Sequence, residues 1–451
     1  MTAHIPPIQQ SLTSLPLRHA IHKVGEINKN ARIWIANKSI EKSFSIGQPI
    51  FIKYLPASGE IIVEEAELLS NHSISSRENS KGRTPILDIK NSSVTETFGD
   101  IEKVEVLYYP GKIVIRATKN EKLKKERKEK GLSTLFELFS GGGTLTHHIK
   151  KSFALKGHSL RSVGALEMSE QYLTMYEDNN REEKITICST IEDIHPSDYP
   201  QADIILAGIP CTTFTNANLL MNKAIKNNKS GVATQEDNKR LAGKTTADSL
   251  VFYVLNAIFS VNAKIAIIEE VENFSKSSSA DLLRTVLLSR NYTLSETILK
   301  GLTTKRKRWC MVATMGEKVD LENLMSDDGS TIAEHLEIPA SEREWQTPEQ
   351  NKRIAGAIRK KSVGVRAVTP EDTLVNTFTT HGTRSSEPCL VNKKGGNLYS
   401  EFTNKEIANI HGLSDYKLSG QKTLDRRILG QGTTNSFLEV GERIINSFSQ
   451  G

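Results

Sequence analysis

The 451-residue sequence predicts an α/β protein built on a mixed sheet with helices on both faces, preceded by a separate all-β domain. Three observations predict it. Residues 32–115 carry the same apolar pattern twice in short β-branched runs. Residues 133–153 read as strand, glycine turn and helix. Apolar strands then recur at Ser162–Leu166, Ala202–Ala207 and Ala263–Ile268, each followed by a turn or helix-length segment, which is the rhythm of a sheet covered by helices.

The repeat is visible on shifting the first copy by 54 positions: Ile35 meets Ile89, Ile40 meets Val94, Phe44 meets Phe98, Ile50 and Ile52 meet Val104 and Val106, and Pro56 meets Pro110. After a two-residue deletion, Ile61 and Val63 meet Ile113 and Ile115. Alternation of apolar and polar residues is the period of half-buried strands, and SGE and PGK mark turns. Neither copy can bury a full face alone, so the two are expected to pair. The Ser/Asn-rich stretch Ser70–Lys81 between them reads as a mobile linker.

Composition bounds the function. Charged residues make up 25% and the hydrophobic class 37%, as in a globular protein with a sizeable core. No run approaches the roughly 18 uncharged apolar residues of a membrane helix, and MTAHIPPIQQSLTSLPL lacks the basic start and apolar run of a secretory signal. Four cysteines stand at 188, 211, 310 and 389 with no CxxC pair, which argues against zinc and fits a reducing cytosol. The net charge of +6 leans toward an anionic partner. Its basic runs, Lys119–Lys130 and Lys352–Arg366, read either as solvated helix faces or as phosphate contacts.

The strand Ser133–Phe139 runs into Ser140-Gly141-Gly142-Gly143 and then a helix over Leu145–Phe153, a turn that lets backbone approach a nucleotide cofactor closely. The second strand ends at Glu167, placed either to grip a ribose diol or to lie on the surface. The third runs into Gly208-Ile209-Pro210-Cys211-Thr212, a cysteine on a turn at a strand's C-terminal end, where a ligand would meet it. The next ends in Glu269-Glu270-Val271-Glu272-Asn273-Phe274, and the turn of a following strand pair carries Thr304-Lys305-Arg306-Lys307-Arg308-Trp309.

In order and spacing these motifs resemble the cytosine-5 methyltransferases over roughly residues 131–451. FSGGGTL (139–145) is similar to that family's cofactor loop, GIPCTTFT (208–215) to its proline-cysteine motif, IEEVENF (268–274) to its Glu-Asn-Val motif and TKRKRW (304–309) to its arginine pair. KEIANIHGLSDY (405–416) and ILGQGTTNSF (428–437) resemble its last two motifs. The resemblance implies a Rossmann-like S-adenosylmethionine-dependent fold. It implies cofactor contacts from Phe139, Ser140, Gly141, Gly142, Gly143, Thr144, Leu145, Glu167, Met168 and Pro210. Cys211 would be the nucleophile, Glu269 the group that stabilises the cytosine, and Arg306 and Arg308 the holders of base oxygen and phosphate. No metal is implied. The sequence departs from the pattern at Thr144, where a third glycine is common, at Glu270 and Gln431, where asparagine is usual, and at Thr190, where an aspartate usually meets the adenine.

Chemistry gives these residues reasons. Carbon 5 of cytosine is a poor nucleophile until a thiolate adds to carbon 6; nearby positive charge, with Arg308 the candidate, would favour the thiolate. A carboxyl at ring nitrogen 3 stabilises the adduct, and the base must leave the duplex to reach it. Asn216–Lys244 reads as a loop closing over the base, or as a surface insertion; AGKTT (242–246) within it is no phosphate loop, because Asn238 stands where the first glycine is required. Thr377–Ser386 could reach base edges, and within it His381 and Arg384 read either as base contacts or as a satisfied loop histidine and a surface arginine.

The expected organisation is a disordered tail over 1–24, a duplicated β domain over 25–117 resembling the AbrB/SymE swapped hairpins, a basic linker over 118–130, a catalytic domain over 131–314, a small target-recognition region over 315–375, and a segment over 376–451 that completes the catalytic domain. The β domain would bind or position DNA, or only pack as a module. The whole reads as a bacterial, cytoplasmic, nucleoid-associated DNA cytosine-5 methyltransferase acting on double-stranded DNA, and a cognate restriction endonuclease is allowed for without being visible. The alternatives are an RNA cytosine-5 methyltransferase and a non-catalytic DNA-binding regulator that keeps the fold.

Overall fold

The structure is a computed structural model that describes residues 15–27, 29–66, 70, 72–80, 82–122, 125, 131–180, 185–210, 224, 227–228, 230–359, 365–380, 387–393 and 398–449. Contacts divide the chain into two compact units, Met1–Glu129 and Lys130–Gly451.

In the first unit, the strands are β1 (Arg18–Lys23), β2 (Gly25–Ile27), β3 (Asn30–Ala36), β4 (Pro49–Leu55), β5 (Glu60–Glu65), β6 (His72–Ser73), β7 (Ser75–Asn79), β8 (Gly82–Lys90), β9 (Lys103–Tyr109) and β10 (Lys112–Ala117), with helix α1 (Ser92–Phe98). They form two sheets, ordered β1-β9-β10-β5-β4-β6 and β2-β3-β8-β7. The copies pair with each other: β3 lies antiparallel to β8, with Ile35 opposite Leu87, and β5 antiparallel to β10, with Val63 opposite Ile113. Ile35, Ile40, Phe44, Ile50 and Ile52 share one buried cluster with Ile89, Val94, Phe98, Val104 and Val106. Even the caps repeat, since Asn37 accepts from Ser39 N and Asn91 from Val94 N at the start of each copy's short helix.

Two expectations need correction here. Arg18–Lys23, assigned to a tail, is an edge strand paired with β9, because that sheet offers it a free row of backbone partners. Ser75–Asn79, read as a mobile linker, pairs antiparallel with β8 for the same reason.

The second unit is a seven-stranded sheet ordered β13-β12-β11-β14-β15-β17-β16. Its strands are β11 (Thr134–Leu138), β12 (Arg161–Glu167), β13 (Ile185–Cys188), β14 (Ile204–Gly208), β15 (Ile265–Glu270), β16 (Thr293–Lys300) and β17 (Lys307–Thr314). The first five run parallel and β17 turns antiparallel against β15 and β16. Helices α2 (Thr144–Leu155), α3 (Glu170–Asn179), α4 (Gln235–Val261) and α5 (Ser278–Ser289) connect them. One face buries Ala266, Ile268 and Trp309 with Val254 and Ile258 of α4; the other buries Ile265 and Ile267 with Ile149 of α2 and Val440 of the last helix. Residues on a central strand buried on both faces read as a continuous apolar run, which is why Ile265–Ile268 was legible as a strand. Asp203 ties the base of the sheet together, its Oδ2 accepting from the N–H groups of Ser133 at 3.1 Å and Thr134 at 3.0 Å.

The loop expected over Asn216–Lys244 ends earlier than its composition suggested. Residues 235–244 belong to α4, started by a capping box between Thr234 and Asp237.

Helices α6 (Lys352–Arg359), α7 (Asn404–Ile410), α8 (Lys422–Gln431) and α9 (Ser436–Ser449) and the small sheet β18 (Ala367–Val368), β19 (Cys389–Asn392) and β20 (Leu398–Ser400) make up the rest. Val368, Val375, Leu390, Phe402, Ile407 and Leu429 bury one another, so the boundary expected at 375/376 cuts through a single packed region. The reason is that β18 pairs with β19, Ala367 lying beside Cys389, a contact no local pattern announces. Phe437, Val440 and Ile444 of α9 pack with Leu145, Ile149 and Phe153 of α2, which brings the end of the chain to the glycine turn.

Candidate active site

The site forms at the C-terminal ends of the parallel strands, where an open α/β sheet leaves a crevice. β11 ends at Leu138, and Phe139 directly after it has a φ of +53° that turns the chain sharply. Ser140 N then donates to Leu166 O at 3.1 Å and Gly143 N to Ser140 O at 2.8 Å, folding the glycines into a tight turn before α2. Two of the glycines are sterically required. At Gly142 a Cβ would lie 2.6 Å from Tyr416 Oη and 2.8 Å from Ile428 Cγ2; at Gly143, with φ of +79°, it would lie 2.6 Å from Tyr176 Cδ2. Tyr416 also donates to Gly142 O at 2.5 Å, so the second-to-last motif locks the loop from outside.

Glu167, at the end of β12, is buried rather than on the surface. Its Oε2 accepts from Gly141 N and its Oε1 from Ser169 N, both at 2.9 Å. Each oxygen keeps further acceptor capacity.

A cavity of about 680 Å³ opens here. Its walls include Phe139, Ser140, Gly141, Gly142, Thr144, Leu145, Glu167, Met168 and Pro210, together with Glu269 and Arg308. Gly143 does not reach the wall; it caps α2. Sequence reasoning missed Ile191, Leu250 and Ile428, which supply apolar wall, and Gln431–Thr433, which close the cavity from the last motif. Thr190 and Gln431, noted only as departures, also line it. Thr433 N donates to Thr144 Oγ1 at 3.0 Å, so the residue replacing a third glycine holds the two motifs together.

On the opposite wall Glu269 and Arg308 form an ion pair, Nε to Oε1 at 2.5 Å, with little of either side chain exposed. Gly208 lies beside Glu269 in the register of β14 and β15, and Ile209 N donates to Glu269 O at 3.3 Å. The turn carrying Pro210 therefore begins against the carboxylate. Cys211 itself lies outside the described residues, as do His381 and Arg384. Of the other thiols, Cys310 and Cys389 are buried and Cys188 is exposed. Burial pushes Cys389 up to about 11 and Cys310 higher still.

Arg306 is not brought to the cavity. It is buried, with Nη1 donating to Gly430 O at 3.0 Å, which departs from the expected contact to base or phosphate. Residues two apart on a strand would share a face, but Arg306 lies in the turn before β17, which delivers its guanidinium to Gly430 while Arg308, within the strand, faces the carboxylate on β15.

Glu270 projects to the other face of β15 from Glu269, opposite Trp309 in the sheet register. Its Oε2 accepts from Val271 N at 2.6 Å. Burial pushes its carboxyl up to about 8, reinforced by the charge of Glu269 and opposed by Arg308. A carboxyl raised in the folded state favours folding in its protonated form, so its contribution is complete below about 4.5 and is lost as pH rises toward about 8. Glu270→Gln is thus expected to flatten the fall in melting temperature between pH 5 and 8 and to raise it at pH 8. A variant with the slope of the wild type would show that Glu270 is already ionised when folded.

A glycine turn before a helix, an acid ending the next strand, and an ion-paired glutamate beside a proline turn on a third and fourth strand define a nucleotide-cofactor-dependent group-transfer enzyme. Residues 133–445 match the model of the C-5 cytosine-specific DNA methylase family. The chain belongs to that family and is a cytosine-5 methyltransferase. A type II methyltransferase, M.NlaX of Neisseria lactamica, is 22% identical over 298 residues, covering 62% of this chain and 85% of that protein. Among solved structures, the Entamoeba histolytica methyltransferase EhMeth superposes with a TM-score of 0.53 at 18% identity, and the S. pombe Dnmt2 methyltransferase with 0.52 at 20%; each comparison covers 71% of this chain and 99% of the other. At such identities the likeness is one of fold.

Membership implies S-adenosylmethionine as methyl donor, and the residues present fit it. Gly141 and Gly142 bring bare backbone to the cavity wall. Apolar walls meet a buried carboxylate with acceptor capacity, and the buried Ser140 hydroxyl has no partner among the described residues. Among the described residues no group of three metal-ligating side chains occurs, and no helix is long and apolar enough to cross a membrane.

Proposed function

We propose that the chain methylates carbon 5 of cytosine in double-stranded DNA through a covalent bond to Cys211. The observation that carries this reading is the Glu269–Arg308 pair on the wall of the glycine-turn cavity, with the Pro210 turn starting beside it. When bound, S-adenosylmethionine supplies an electrophilic methyl group; Phe139, Ser140, Gly141, Gly142, Leu145, Glu167 and Met168 would hold it, Glu167 through the ribose hydroxyls. The thiolate of Cys211 adds to carbon 6 of an unstacked cytosine and makes carbon 5 nucleophilic; once carbon 5 carries the methyl group, loss of its proton to a base and expulsion of the thiolate restore the ring and free Cys211. Glu269 accepts from the exocyclic amine and passes a proton to ring nitrogen 3 as the thiolate adds, so that no net negative charge builds up on the ring, and Arg308 orients Glu269. A low-dielectric wall makes both interactions stronger than they would be in water.

DNA is favoured over RNA by the family model and by the type II relative, which also supports a role beside a restriction endonuclease. The paired N-terminal repeat is read as an accessory DNA-binding or positioning unit. The test is capture on 5-fluorocytosine substrates with S-adenosylmethionine. A denaturation-resistant complex with duplex DNA is expected, and none, or much less, with RNA of the same sequence. Capture on RNA alone reverses the choice of polymer; capture on neither leaves the regulator reading.

A further inference from the structure

After the arginine turn, the chain is stitched to it by Val375, whose N–H donates to Thr303 O at 3.0 Å and whose carbonyl accepts from Lys305 N at 2.8 Å. It then passes Phe378 and runs against α8 at Gly430. A Cβ on Gly430 would lie 2.4 Å from Thr380 N and 2.6 Å from Thr379 O, so the two backbones touch. The carbonyl of Gly430 is the one that accepts from Arg306. Thr379 and Thr380 are thus held to the same segment that leads, two residues beyond Arg306, to Arg308 on Glu269.

Glu387 closes this neck. It is 1% exposed. Its Oε1 accepts from Thr379 N at 2.7 Å and from the Thr379 hydroxyl, and its Oε2 accepts from Arg426 Nη2 at 2.8 Å. Its own carbonyl accepts from Arg353 Nη1 at 2.9 Å. The Arg426 guanidinium in turn lies 5.4 Å over the Phe378 ring, and Phe378 packs edge-on to Phe402 at 5.3 Å. A buried ion pair returns little net stability, because desolvation consumes most of its Coulomb energy; its better attested use is to fix one geometry among several. The geometry fixed here is the spacing and direction of the chain at Thr379 and at Glu387, beside the arginine turn.

We propose that Glu387 is a positioning residue for substrate selection: by tying Thr379 to Arg426 it sets the stance of the chain at the rim of the site, and with it which bases around the target cytosine are accepted. This rests on the nucleic-acid methyltransferase reading above. Discrimination by hydrogen bonds to base edges requires donors placed to within a fraction of an ångström, so a loosened neck should relax selection before it lowers the rate on every sequence.

The full-length wild type, Glu387→Ala and Glu387→Gln would each be incubated with S-adenosylmethionine and a duplex library presenting cytosine in all flanking contexts. Bisulfite sequencing then gives a rate for each context, and thermal melting and cofactor titration run alongside. For the alanine variant, the ratio of best to second-best context is expected to fall about tenfold, with cofactor affinity unchanged. The glutamine variant should recover part of the ratio, because its carbonyl still accepts from Thr379. Uniform loss across contexts, an unchanged ratio, or a wild type without context preference overturns the proposal. Should the alanine variant not fold, Thr379→Val removes only the hydroxyl donor and is judged by the same ratio. A wild type that methylates no library of DNA or RNA defeats the functional reading itself, and this inference with it.

Discussion

Cys211→Ala is expected to abolish covalent capture of fluorocytosine DNA and to lower methyl transfer by on the order of 10⁴-fold or more, while cofactor affinity and melting temperature stay at wild-type values. The size follows from the role: without thiolate addition, carbon 5 is not activated, and no neighbouring group substitutes for a missing nucleophile. The other thiols are poor replacements. Cys310 sits opposite Glu269 in the sheet register, buried, with its thiol held protonated by burial and by the Glu269 charge. Cys389 is buried in the small sheet, and Cys188 ends β13, the edge strand, three positions from β14 in the sheet order. Transfer within tenfold of wild type by the alanine variant would remove Cys211 from the mechanism.

Glu269→Gln is expected to reduce kcat/KM by about 10²- to 10³-fold, the usual cost of removing one preorganised group that faces developing charge. Arg308→Ala should cost a comparable factor, and the double variant little more than the worse single one, because the two act as one unit through their 2.5 Å contact. The substitutions differ in one respect. Removing the carboxylate's charge leaves Arg308 a largely buried cation without its counter-ion, so Glu269→Gln should also lower the melting temperature, whereas Glu269→Gln with Arg308→Met should restore much of it without restoring activity. Steady-state kinetics on duplex substrate with parallel melts separate these outcomes. Fully additive losses in the double variant would mean that the two side chains contribute independently and that the ion pair is incidental.

The catalytic strands were legible because each is short, apolar and bounded by turn residues; Ile265–Ile268 has one reading under any pairing. The glycine turn and the acid at 167 were legible for a related reason, since close backbone approach and a strand-end carboxylate are local demands that only a few residues meet. The N-terminal repeat was visible as duplication, and its caps at Asn37 and Asn91 repeat with it. What escaped depends on contacts far apart in the chain. Nothing within Arg18–Lys23 states that β9 will offer it an edge, and nothing near Ala367 states that Cys389 will lie beside it. Arg306 and Arg308 look alike in sequence, two residues apart, yet one is sealed against Gly430 and the other faces Glu269. That the last segment completes the catalytic domain was expected; that Ile428 and Gln431–Thr433 are the residues it adds to the cavity wall was not.

The sequence by itself determined the class of chemistry, the order of the strands that carry it, and the internal duplication of the first unit. Each of these is written in residue type and periodicity, which act over a turn of helix or the length of a strand. Tertiary structure alone decided which of two arginines meets the carboxylate, that Glu270 is a buried and raised acid facing away from it, and that Glu387 ties Thr379 to Arg426. Those outcomes depend on which distant segments exclude water from a given side chain, and burial is a property of the packed whole rather than of any window of sequence.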